Sequence, residues 1–76
     1  MIKSNVKVLM KQKELDDGIR LSYDLIAAET GISRSAIAKL ANNRTTMISF
    51  DTLNGLCNFF RVTPDEILLW TPDDED

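Results

Sequence analysis

At 76 residues, 43% of them apolar, the chain can fill one hydrophobic core and has no length for a second. One cysteine and no histidine exclude an intrachain disulfide and the usual zinc constellations, and they leave a catalytic thiol without a base, so no enzymatic chemistry is expected. The net charge of −3 speaks against a polyanionic partner, but it is unevenly placed: residues 1–44 carry eight Lys or Arg against five Asp or Glu, and residues 45–76 carry one against seven.

No run of about 18 apolar residues occurs, and the opening Met1-Ile2-Lys3-Ser4-Asn5 lacks the apolar segment of a signal peptide, so a cytoplasmic protein with no membrane partner is expected. The apolar residues recur at helical spacing almost throughout, which predicts an all-α domain. Ile2, Val6, Leu9, Met10 and Leu15 are expected to line a first helix that stops before Asp17-Gly18. Ser22 reads as the cap of a short second helix through about Glu29, Gly31 breaks the pattern, and Ser33 caps a third helix to about Ala41.

Asn42-Asn43 suits a helix stop, because asparagine tolerates the left-handed conformation, and Thr45-Thr46 continues as loop. Ser49 or Asp51 opens a fourth helix in which Leu53, Leu56, Cys57 and Phe60 form one buried face, which makes Cys57 core filler. Thr63-Pro64-Asp65-Glu66 combines a capping threonine, an N-terminal proline and a glutamate three residues after the cap. A fifth helix is therefore expected, ending near Trp70-Thr71-Pro72. The domain is expected to span 1–72, with 73–76 an acidic, disordered tail.

The informative stretch runs from Tyr23 to Leu40. Ala27 lies four residues before Gly31, where a larger side chain would hold two helices apart. Gly31 supplies a left-handed turn, Ile32 plugs the corner, and Ile37 with Leu40 sets the third helix on the core. Ser33, Arg34, Ser35 and Lys39 are left pointing outward. Short hydroxyls flanking two cations at the front of an exposed helix suit the major groove of DNA, which is about 12 Å wide and is read by side chains near a helix's N-terminal end. The bland alternative for Arg34 and Lys39, solvated surface cations, loses ground once they are set within the glycine turn and its spacing.

At these residues the chain resembles the Cro and phage-repressor superfamily of helix-turn-helix regulators, the Xre-type domain, in its small single-domain bacterial members. Ile32-Ser33-Arg34-Ser35-Ala36-Ile37-Ala38-Lys39-Leu40-Ala41-Asn42-Asn43 is similar to the family's recognition helix. Phe50-Asp51-Thr52-Leu53-Asn54-Gly55-Leu56-Cys57 is similar to its fourth helix, and Thr63-Pro64-Asp65-Glu66-Ile67-Leu68 to its fifth. The resemblance implies a five-helix, lambda-repressor-like fold and a sequence-specific transcriptional regulator, a repressor on a double-stranded DNA operator, with no cofactor and no small-molecule ligand. Ser33, Arg34, Ser35 and Lys39 would read bases, while Ser22, Tyr23, Asn42, Arg44, Thr45 and Thr46 would contact phosphates. Tyr23 departs from the glutamine that many relatives carry there, and Asn43 stands where glycine is common.

The resemblance also implies a homodimer. Phe59, Leu69 and Trp70, which fall off the inner faces of their helices, are the residues expected to form its two-fold interface. The rival reading is a protein-interaction module of the same fold, an antitoxin or antirepressor with weak or no DNA binding. It draws on the acidic second half and the missing helix-2 glutamine.

Overall fold

The computed structural model describes residues 1–74; Glu75 and Asp76, the end of the tail expected at 73–76, lie outside the described residues. Among the described residues there are five helices, α1 (Val6–Asp17), α2 (Tyr23–Thr30), α3 (Arg34–Ala41), α4 (Phe50–Phe60) and α5 (Pro64–Ile67), and two short strands, β1 (Ile2–Ser4) and β2 (Leu68–Trp70). No helix among them is long and apolar enough to cross a membrane.

Local chemistry sets most boundaries. Ser22, Ser33 and Ser49 each have extended backbone, and each accepts through its hydroxyl from the N–H three residues on, at 3.1 Å in all three cases. Gly18 (φ 66°) closes α1 and Gly31 (φ 77°) closes α2 in the left-handed region that glycine enters without a Cβ clash. In the turn after α2, the Thr30 hydroxyl donates to the Ile26 carbonyl at 2.7 Å and accepts from the Ile32 N–H at 3.2 Å, so one side chain ties the last turn of α2 to the corner residue.

The end of α3 is a Schellman turn. Asn43 is left-handed (φ 58°), its N–H donates to the Leu40 carbonyl at 3.1 Å, and the Arg44 N–H reaches the Lys39 carbonyl at 2.8 Å. Asn43 thus carries the conformation for which glycine is usual, and Asn42 (φ −98°) does not. Arg61 (φ 58°) closes α4 in the same conformation, with the Val62 N–H on the Cys57 carbonyl at 3.1 Å.

An all-α fold holds only roughly, because β1 and β2 pair antiparallel with Ile2 opposite Trp70, Lys3 opposite Leu69 and Ser4 opposite Leu68. Two expectations change with that pairing. Ile2 belongs to β1 and not to the first helix, which starts at Val6, and the fifth helix stops at Ile67 instead of running to Trp70. The physical reason lies in Asn5. Its backbone N–H donates to the Ile67 carbonyl at 2.8 Å and its side-chain amide to the Glu66 carbonyl at 3.0 Å. Those carbonyls would have to accept from the next turn of a longer helix. Thr63 precedes α5 as expected, but its hydroxyl donates to the Asp65 carboxylate and caps no backbone N–H.

Val6, Ile26, Ile37, Leu40, Ala41, Leu56 and Ile67 form the buried core, one or more from every helix. Leu9, Met10, Leu53, Cys57 and Phe60 pack against it half-buried. Leu15 is 73% exposed, contrary to its expected place on the inner face. Nine residues beyond Val6 it lies half a turn around α1, on the opposite side. Ile32 wedges the α2–α3 corner against α4, where a Cβ added to Gly55 would sit 3.2 Å from its Cδ1. That close approach holds the helix-turn-helix pair on the core.

Candidate nucleic-acid interface

The α2–α3 pair packs its inner side through Ile26, Ile37, Leu40 and Ala41 and leaves the opposite side of α3 open. Arg34 is the first residue of that helix, and its side chain is 61% exposed. Ser35, Lys39, Asn42 and Arg44 are exposed as well. With Arg34 and Ala38 they line one depression of about 420 Å³ along α3. Five of the residues expected to touch DNA therefore share a single face. Spacing explains four of them, because positions one, five and eight residues beyond Arg34 lie on one side of a helix, and Arg44 joins them from the turn that follows the left-handed Asn43.

The face is basic and rich in hydrogen-bonding groups. Arg34, Lys39 and Arg44 supply three cations, and Ser35 an exposed hydroxyl. The Asn42 amide nitrogen is turned back onto the Ala38 carbonyl at 2.8 Å, which leaves the amide oxygen outward. Ser33 and Ser22 use their hydroxyl oxygens as acceptors in capping, so each retains its O–H as a donor. The backbone N–H groups at the start of α3 add positive potential at the end where Arg34 sits.

A chain of 76 residues whose exposed helix follows a glycine turn and presents this face has a counterpart. The model of the Cro/C1-type HTH DNA-binding domain matches residues 5–73. The chain belongs to that family. Among curated proteins, none matches it.

Other expected contacts of this Cro/C1-type domain lie elsewhere. Thr45 and Thr46 line a neighbouring groove of about 380 Å³ with Ile2, Ser4, Met47, Ile48 and Leu68, and the Thr45 hydroxyl donates to the Met47 carbonyl at 2.8 Å. Tyr23 is half-buried at the start of α2, its ring centroid 5.9 Å from the Arg34 guanidinium carbon. Leu69 and Trp70 are neighbours in β2 and so point to opposite faces of the sheet. Trp70 is 70% exposed. Phe59 is half-buried, edge-on to Phe60 with centroids 5.0 Å apart and Lys13 Nζ 5.4 Å from its ring centre.

Two features of the Cro/C1-type surface escaped the sequence. Asp24 accepts from Nε of Arg34 at 2.9 Å, a contact across the turn that no helical spacing announces. Met47 and Phe50 are both almost fully exposed, Phe50 at 88%. Helical spacing gave no warning for Phe50, which lies three residues before Leu53 and seven before Cys57, at the edge of the apolar face of α4.

Proposed function

We propose that this domain is a sequence-specific transcriptional regulator, a repressor that acts by occupying its operator and blocking access to it. The observation that carries this reading is the single open face of α3 on which Arg34, Ser35, Lys39, Asn42 and Arg44 converge while Ile37 and Leu40 fix the helix from behind. In this reading α3 enters the major groove, where Ser33, Arg34, Ser35 and Lys39 face base edges. Ser22, Tyr23, Asn42, Arg44, Thr45 and Thr46 meet phosphates on either side and set the register without reading sequence. Neither a cofactor nor a small-molecule ligand takes part.

The same reading makes the protein a homodimer on a two-fold operator with half-sites about 34 Å apart, one turn of DNA. The exposed Trp70, paired across the strands with the exposed Ile2 on an open two-stranded sheet, supports an interface centred there, while Leu69, on the opposite face of the sheet, contributes less. Phe59 contributes less, because its own protomer covers its ring.

Selection of bound duplexes from a random pool tests the reading. Expected is a pseudo-palindrome with at least one guanine per half-site whose replacement weakens binding. Recovery of no enriched sequence at physiological salt would leave only the rival, a protein-binding module.

A further inference from the structure

Resting on that reading of α3, we infer that Asp24 is a specificity-determining positioning residue, which holds the Arg34 guanidinium so that its two terminal nitrogens are presented to a guanine. Asp24 is the second residue of α2 and Arg34 the first of α3, and Asp24 Oδ1 receives the Arg34 Nε–H at 2.9 Å. The choice of nitrogen matters. A guanidinium offers five N–H donors, and guanine in the major groove is read by two parallel ones from the terminal nitrogens, onto O6 and N7. A carboxylate gripping the terminal nitrogens would consume that reading edge. One gripping Nε leaves the edge free and fixes the plane in which it lies.

Tyr23 completes the mount. Its ring lies 5.9 Å from the guanidinium carbon, so the side chain is bounded by a carboxylate on one edge and by an aromatic ring beside it. The ring is itself half-buried against the core and therefore steady. The Asp24–Arg34 pair is exposed on both sides, 78% for Asp24 and 61% for Arg34, and an exposed ion pair adds little to folding. Its effect is on geometry: an arginine that enters the groove already oriented loses less rotamer freedom on binding than a free one. A carboxylate beside DNA also repels phosphate, so Asp24 lowers affinity for every sequence alike while sharpening the response to one base.

Asp24→Asn, Arg34→Ala and the double variant, each in the full chain, test this by fluorescence anisotropy at one fixed salt. The probes are the duplex selected by the wild-type protein, the same duplex with each guanine replaced in turn, and a scrambled duplex. For Asp24→Asn the expected result is equal or tighter binding to the scrambled duplex and about five- to tenfold less discrimination at one guanine. That guanine is the one whose preference Arg34→Ala abolishes, and Asp24→Asn should add nothing in the Arg34→Ala background.

Two outcomes overturn the proposal with the DNA reading intact: unchanged discrimination, which leaves Asp24 a helix-end charge, or tighter specific binding with discrimination kept, which makes it a clamp that withholds Arg34. If Arg34→Ala itself changes no base preference, the assignment of the reading face fails and the proposal with it. Thermal melts of all variants separate these results from loss of fold.

Discussion

The Ser4 backbone N–H donates to the Asn43 side-chain oxygen at 2.6 Å, tying β1 to the left-handed residue that closes α3. Asn43 therefore has two separable tasks, and two substitutions divide them. Asn43→Ala meets the left-handed penalty without any side-chain contact and loses the tie, so a loss of about 1–2 kcal/mol is expected. Asn43→Gly loses the same tie but takes the conformation freely, and its stability should stay within about 0.5 kcal/mol of the parent. Urea midpoints of the two variants check the split; equal losses would mean that the conformation does not matter there.

Arg61 is the other non-glycine residue among those described that is held at positive φ, and no ion pair holds its side chain among the described residues. Arg61→Gly removes a left-handed penalty of about 1–2 kcal/mol at the cost of some unfolded-state entropy. A net gain of about 0.5–1 kcal/mol is expected, which a calorimetric scan would read as a rise of roughly 2–8 °C for a domain of this size. A lower Tm would show that the guanidinium makes a contact worth more than the strain.

The two arginines of the α3 face should differ in how they fail. Arg34→Ala is expected to lose about 1–3 kcal/mol of discrimination at one base pair of the selected site. Arg44→Ala should weaken binding to all duplexes alike and reduce the slope of log K against log salt by about 0.9 for each protomer bound. Titrations at four salt concentrations on selected and scrambled duplexes separate the two patterns. Interchanged patterns would reassign base reading to the loop after α3.

Trp70→Asp places a charge on the exposed end of β2 with little burial at stake, so its fold should survive. Sedimentation equilibrium should show the variant shifted toward monomer, with weaker operator binding at low protein concentration. An unchanged dimer would move the interface elsewhere, and Met47 and Phe50 would be the next apolar residues to test.

Much of this architecture could be read from the chain because its determinants are local. The serine caps of α2, α3 and α4 lie within three residues of the N–H groups they accept from, and the apolar period of α4 is its own evidence. The strands are different. Ile2-Lys3-Ser4 and Leu68-Leu69-Trp70 are too short to alternate visibly, and they exist because they meet each other from opposite ends of the chain. Thr63-Pro64-Asp65-Glu66 announced where α5 starts and carried no information on its length, which Asn5 sets from the other terminus. At the α3 face, spacing alone singled out Arg34 and Lys39. Asp24 was invisible as a partner because a first-turn acid has an ordinary use at any helix start, and its distance from Arg34 depends on the angle of the turn.

The strand pairing bears on the order in which the protein assembles and loosens. The α2–α3 turn closes over a few residues, while Met1 and Thr71 bond across a sequence separation of 70, and loop-closure entropy makes that about 1.7 kcal/mol harder than closing a ten-residue loop. The terminal pair should form late in folding and open early in hydrogen exchange, with the Thr71 amide losing protection before those of α3. Because Ser4 holds Asn43, each such opening also releases the C-terminal end of α3. Fluctuation of the β1–β2 pair is thereby transmitted to α3, so the firmness with which that helix is seated depends on a sheet that lies outside it.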